Sequence, residues 1–280
     1  MAVAVHIPSP PLNAYIHCLW YADRPIPYPR LKILPMPSLH LMINFGSAFH
    51  IYEADHTEPL AACTESWSVG LWDGYHIMDA PHEMQILNVS FKPGGAYPFL
   101  QLSLSELRNQ FVPLDAIWGC LAAEIRERLY AAPTVPARFA LFEQLLLARL
   151  ADVPYGFKAV QFGVAEIARA RGMLSIRGLS DQMGMSQKHL IAQFKQMVGG
   201  TPKGLARLYR FKNVIHSFDP MQPVDWTRVA HQACYYDQSH FNKDFEAFTG
   251  HSPTDYLRLR RQYYAAYPER ASYPQQLPTG

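Results

Sequence analysis

The stretch "VAHQACYYDQSHFNKDFEAFTGHSP", Val229–Pro253, decides the reading of this chain because it occurs twice. Its counterpart is "LSDQMGMSQKHLIAQFKQMVGGTP", Leu179–Pro202, one residue shorter in its turn. Leu190 and Phe194 correspond to Phe241 and Phe245, Gly199 to Gly250, and Pro202 to Pro253. Self-similarity of this kind marks a repeated supersecondary unit. Each copy reads as a short helix, a tight turn and a second helix. The first helix ends near Met183 or Ala233, and Gly184 can take the positive φ that such a turn needs. Ser186 and Asp237 are natural N-caps for the helix that follows. Leu190, Phe194 and Met197 recur at i, i+4 and i+7, as do Phe241, Phe245 and Phe248, so both stripes face inward. "GGTP" and "GHSP" then stop one helix and start the next, with Thr201 or Ser252 as cap and proline in the first turn.

Between the copies, Lys203–Phe218 reads as one long joining helix. Leu205, Leu208, Ile215 and Phe218 form its apolar side, and Arg207, Arg210 and Lys212 its basic one. Within the second copy, Cys234, Asp237, His240 and Asp244 resemble a metal site. Helical phase sorts them differently: Asp237 caps, His240 packs within the domain, and Asp244 points away from phosphates. Cys234 fills a turn position that favours glycine.

Charge is divided along the 280 residues. Met1–Val153 holds 9 Lys+Arg against 14 Asp+Glu, and Pro154–Gly280 holds 16 against 9. A basic C-terminal half behind an acidic N-terminal half implies a polyanionic partner for the former. The chain is 49% apolar and 17% charged, a globular composition. No apolar run reaches the ~18 residues of a bilayer-crossing helix, so no membrane partner is expected. Four scattered cysteines without a CxxC pair, and a start lacking signal-peptide character, lead to an expected cytoplasmic setting with reduced thiols.

These residues resemble the AraC/XylS family of bacterial transcription regulators, whose members carry two helix-turn-helix motifs joined by a linker helix. The second copy holds the family's Asp-x-Ser-His-Phe run, the following Phe, then Gly-x-Ser-Pro and Tyr. The first copy holds Gly-Met-Ser, Leu-x-x-x-Phe and Gly-x-Thr-Pro, and Arg210 stands at the linker-helix arginine. The resemblance spans about Phe157–Tyr264. It implies double-stranded DNA as partner, with RNA polymerase by family analogy. This sequence departs from the pattern at Cys234, at Tyr235 in place of Phe, and at Ile191 and Ala192, where many members carry polar base-readers.

A recognition helix presents its N-terminal outward residues to base edges in the major groove. In copy one these are Gln187, Lys188, Ile191 and Ala192; in copy two, Gln238, Ser239, Asn242 and Lys243. Gln and Asn pair with adenine, Lys with guanine, and Ile or Ala meets a thymine methyl. Lys195, Lys203, Arg210 and Arg228 are candidates for phosphate contacts.

The first half is strand-like. "AYIHCLWY" (Ala14–Tyr21) alternates, with Ile16, Cys18 and Trp20 on one face and Tyr15, His17 and Leu19 on the other. "HLMINF" (His40–Phe45), "AFHIY" (Ala48–Tyr52) and "EMQILNVSF" (Glu83–Phe91) are further strand-rich runs between Gly, Pro and Asp turns. Two amphipathic helices follow, Leu114–Tyr130 and Ala137–Leu150. They can pair in a homodimer or pack on the sheet. "LPMPSLHLMINFG", "FKPGGAYPFL" and "LDAIWG" resemble a domain often fused to such regulators, which implies a cupin-like β-barrel or sandwich followed by helices.

The expected fold is therefore α+β. Residues 1–153 form an effector-sensing or dimerisation domain, 154–264 an all-α DNA-binding domain with two helix-turn-helix motifs, and 265–280 a flexible tail. Trp20, Trp67, Trp72 and Tyr75 are candidates to line a small-molecule effector pocket, or else core aromatics. His40, His50, His56, His76 and His82 lack the His-x-His spacing of a metal cupin, so neither metal nor cofactor is expected. No nucleophile or phosphate-loop setting points to catalysis. Three readings stay open: a ligand-responsive regulator, a DNA-binding protein whose first domain only dimerises, and a cupin-type metalloenzyme on a DNA tether.

Overall fold

A computed structural model describes residues 3–24, 29–53, 58–79, 81–267 and 275–279. His56 lies outside them. Among the described residues nine strands come first: β1 (Val3–His6), β2 (Ile16–Ala22), β3 (Arg30–Ile33), β4 (Leu39–Asn44), β5 (Phe49–Tyr52), β6 (Ala61–Cys63), β7 (Ser66–Val69), β8 (His76–Asp79) and β9 (Ile86–Phe91). Helix α1 (Tyr97–Leu100), a 3₁₀ turn (Leu104–Leu107) and strand β10 (Phe111–Pro113) lead into helices α2 (Asp115–Trp118), α3 (Leu121–Ala131) and α4 (Val135–Arg149). Seven further helices follow: α5 (Phe157–Arg169), α6 (Ile176–Gln182), α7 (Gln187–Val198), α8 (Pro202–Ile215), α9 (Trp226–Gln232), α10 (Gln238–Thr249) and α11 (Pro253–Ala266). A last strand, β11, covers Gln276–Thr279.

The strands form two sheets, of order β1-β2-β9-β4-β7-β10 and β11-β3-β8-β5-β6, with every pairing antiparallel. The centre of the larger sheet is buried on both faces. Leu41, Leu87, Val89 and Phe91 pack beneath α3 and α4 with Ile125, Leu129 and Phe142. Its other face meets the second sheet through Trp67, Val69, Ile86, Phe49 and Ile51. This is why β9, "ILNVSF", is buried throughout, with no exposed alternate residues. Helices α3 and α4 thus cover the sheet, and the mixed α+β expectation holds.

Four sequence expectations change. A bulge in β2 shifts the register between Ile16 and Cys18, which pair with Phe91 and Ser90. The extra residue at His17 moves Ile16 to the face of Leu19 and Tyr21, away from Trp20. The helix expected over Leu114–Tyr130 is two, because Gly119 takes φ +61 between α2 and α3. The linker helix ends at Ile215, and Phe218 lies beyond it against Trp226.

The fourth concerns the end of the chain. Residues 265–280 were expected to be a flexible tail. Instead Gln276–Thr279 pairs with β3 along its edge, and Leu277 is buried in the core of the helical domain. Pro278 is tolerated there because β11 is an edge strand. A hydrogen bond from the buried Arg260 to the Gln276 carbonyl, 3.0 Å, ties α11 to the same strand.

Candidate nucleic-acid interface

The two repeats fold as equivalent helix-turn-helix units. In the first, α6 is followed by its C-cap Met183, Gly184 takes φ +64, and Ser186 caps α7 by accepting from the His189 N–H at 3.2 Å. In the second, α9 is followed by its C-cap Ala233, Cys234 takes φ +53, and Asp237 caps α10 by accepting from the His240 N–H at 2.7 Å. Backbone bonds match as well: Met185 N–H to the Ser180 carbonyl, and Tyr235 N–H to the Ala230 carbonyl, both 3.1 Å. Thr201 and Ser252 cap α8 and α11 in the same way.

One apolar core runs through both units. Leu190, Phe194 and Met197 are buried in it, as are Phe241, Phe245 and Phe248. Burial of each large side chain contributes about 2 kcal/mol. The linker helix adds Leu205, Leu208, Phe211, Val214 and Ile215. Phe211 lies 4.7 Å from Phe248 between ring centroids.

With the apolar stripes inside, the opposite faces are free. Gln187, Lys188, Ala192, Gln238, Ser239 and Lys243 are exposed, while Ile191 and Asn242 are half-buried. Lys195, Lys203 and Arg228 are exposed around them. Arg210 differs. Its guanidinium lies 5.2 Å from the Tyr235 ring centroid, and its Nε is sealed from solvent without a hydrogen-bond partner. Arg210, Lys203, Ser175, Met173 and Cys234 line a pocket of about 330 Å³ between the two units. Burial pushes the Tyr235 hydroxyl up to about 12.

Cys234, Asp237, His240 and Asp244 take separate roles. Asp244 is buried and held by Arg207 at 2.7 Å, joining α10 to the linker helix. His240 sits edge-on to the Tyr235 ring at 5.3 Å. Cys234 is an exposed free thiol. Among the described residues, no group of His, Cys, Asp and Glu is arranged to hold a metal.

The four candidate aromatics do not converge. Trp67 is buried on Phe49, with Trp20 packed against the same core. Trp72 lies between His76 and Phe111, at 4.7 and 5.1 Å. Tyr75 points the other way, into the helical domain's core, with Lys32 4.0 Å above its ring. His40 and His76 lack the spacing of metal ligands. Both in fact belong to a polar set inside the sandwich. His40 Nε2 is 2.9 Å from Ser38 Oγ, and its Nδ1 is 3.3 Å from Asn88 Oδ1. His76 Nδ1 and Trp72 Nε1 are buried without partners. Burial, then the nearby His40, lowers the His76 imidazole to about 3.

Among the described residues no helix is long and apolar enough to cross a membrane. No curated protein matches the chain. Residues 4–113 match a domain family of unknown function, DUF6597, and residues 179–259 match a helix-turn-helix domain family. Among solved structures, ToxT from Vibrio cholerae aligns over 86% of this chain and 98% of its own, at 9% identity and a TM-score of 0.43. ToxT bound to (E)-4-(8-methylnaphthalen-1-yl)but-3-enoic acid aligns over 92% and 99%, at 8% identity and 0.42. The AraC-like transcriptional activator CuxR aligns over 98% and 90%, at 10% identity and 0.23. Residues 179–259, with their paired motifs and linker helix, are a helix-turn-helix domain of the AraC type, and residues 4–113 belong to a domain family without an assigned function.

Proposed function

We propose that α7 and α10 read adjacent major-groove segments of one operator, about 10 bp apart on one face. The observation that carries this is the exposure of equivalent polar faces on two equivalent helices joined by one core. The second unit supplies most of the hydrogen-bonded readout, through Gln238, Ser239, Asn242 and Lys243. Gln187 and Lys188 do so in the first, where Ile191 and Ala192 offer apolar contact to thymine methyls. Lys195, Lys203 and Arg228 meet phosphates. Arg210 serves mainly to hold Tyr235 and reaches DNA only through its terminal nitrogens. Footprinting upstream of the adjoining genes tests the arrangement, and protection shorter than one helical turn contradicts simultaneous engagement of the two helices.

The N-terminal domain responds to a small molecule held between the sheets beside Trp72, His76 and Phe111. Two buried polar atoms without partners, Trp72 Nε1 and His76 Nδ1, support this, because such groups are costly unless a ligand or water satisfies them. The neutral imidazole and the aromatic walls suit an uncharged molecule bearing a hydrogen-bond acceptor. A thermal-shift screen tests the reading, since a bound effector raises stability by mass action. Light scattering tests a homodimer through α3 and α4, and RNA polymerase is the further partner that the AraC type suggests.

A further inference from the structure

The segment Leu71–His76 is divided between two cores. Leu71 and Tyr75 pack into the core of the DNA-binding domain, while Trp72 and His76 pack into the sandwich interior. The two outward residues meet the corresponding loops of the repeat, one residue apart in register. A Cβ placed at Gly200, in "GGTP", would stand 3.5 Å from Leu71 Cδ1. One placed at Gly250, in "GHSP", would collide with the Tyr75 ring. Each of these loops directly follows a recognition helix. One short segment of the N-terminal domain therefore touches the trailing end of both.

The segment is also braced. Arg108 binds the Asp73 carboxylate through Nε and Nη2 at 2.9 and 2.7 Å, and Asn109 adds three bonds of 2.9 Å to Leu71 and Asp73. Arg108 and Asn109 follow the 3₁₀ turn Leu104–Leu107, and a Cβ at Gly199 would approach the Leu104 carbonyl to 2.9 Å. On the second side, Lys32 donates to the Thr249 carbonyl at 3.0 Å while covering the Tyr75 ring. Leu104 thus backs the first seat and Lys32 of β3 the second.

We propose that residues 71–76 set the relative placement of the two recognition helices. Leu71 and Tyr75 seat the two helix ends, and Trp72 and His76 register what fills the sandwich interior. The sensing half rests on the effector reading above; the seating half does not. A coupling element must be one whose state both sites bias, and this segment presents Leu71 and Tyr75 to one and Trp72 and His76 to the other.

The test is amide hydrogen exchange on the full chain without ligand, comparing wild type with Trp72→Ala. The expected result is exchange several-fold faster in residues 198–204 and in 249–254 together, with α3 and α4 unchanged. Acceleration confined to residues 70–76 and 109–113, or reaching one helix end only, overturns the proposal. Asp73→Ala, at an exposed position, removes the brace without opening the sandwich core, and should loosen the same two regions if Trp72→Ala does not fold. A screen that finds no effector, while both regions respond together, overturns the effector reading and leaves the seating role standing.

Discussion

Cys234→Gly should stabilise the protein. Cys234 sits at φ +53 on an exposed turn, where the equivalent residue of the first unit is Gly184 at φ +64. A side chain in this left-handed region costs about 1–2 kcal/mol, because Cβ crowds the following carbonyl. Glycine removes that strain but frees the unfolded chain, which returns about 0.5–1 kcal/mol. Little packing is lost with an exposed thiol. The net gain is about 0.5–1 kcal/mol, or roughly 2 °C in Tm for a chain of this size. The reverse change isolates the torsional term: a Cβ at Gly184 meets nothing within 4 Å, so Gly184→Cys carries backbone strain and no clash. It should destabilise by a similar amount. Urea denaturation under reducing conditions measures both. Equal signs for the two variants, or a loss of stability in Cys234→Gly, refute the reasoning that the turn geometry dominates.

Other perturbations reach the site and the core. Asn242→Ala should cost ~1–3 kcal/mol of binding at a single base position; a uniform loss across all sequences, measured by competition with selected duplexes, would assign Asn242 to the phosphate backbone. Arg207→Ala leaves the Asp244 carboxylate buried without its partner and should lower stability by about 2–3 kcal/mol, which Asp244→Asn in the same background should partly restore. His76 carries an acid lability: its folded value lies near 3, below the unfolded one, so its contribution is present above the unfolded value and is lost as pH falls toward 3. From pH 8 to 5 that loss is about 2 kcal/mol, and comparing urea midpoints of wild type and His76→Phe at the two pH values checks it. The Asp73 carboxyl is raised by burial but lowered further by Arg108 and Asn109, for a net depression. Its brace should therefore hold above the ordinary carboxylate range and fail on further acidification, with exchange at residues 70–76 as the readout.

The DNA-binding half was legible because its signals are local. A stripe at i, i+4 and i+7, a cap three residues ahead of the amide it serves, and a glycine-proline punctuation all act within one turn of helix. Phe241, Phe245 and Phe248, with Asp237 as cap, could therefore be placed from spacing alone. Cys234 was flagged for the same reason, since a repeat shows which residue its turn expects. The N-terminal half was legible only as strands. The β2 bulge at His17 left no mark in the alternation, and Gly119 reads equally well inside or outside a helix.

What the sequence by itself determined is the repeat: two helix-turn-helix units, their inward and outward faces, and the basic charge that goes with them. Only the tertiary structure decided what those units rest on. That "QLPT" at 276–279 completes a sheet begun at Arg30, that Trp72 and Tyr75 look into different cores, and that Arg207 is taken up by the buried Asp244 are pairings across tens to hundreds of residues. The physical reason is one of range. Helical periodicity and capping are set by neighbours along the chain, whereas a strand edge or a buried charge finds its partner only when the whole chain has collapsed around it.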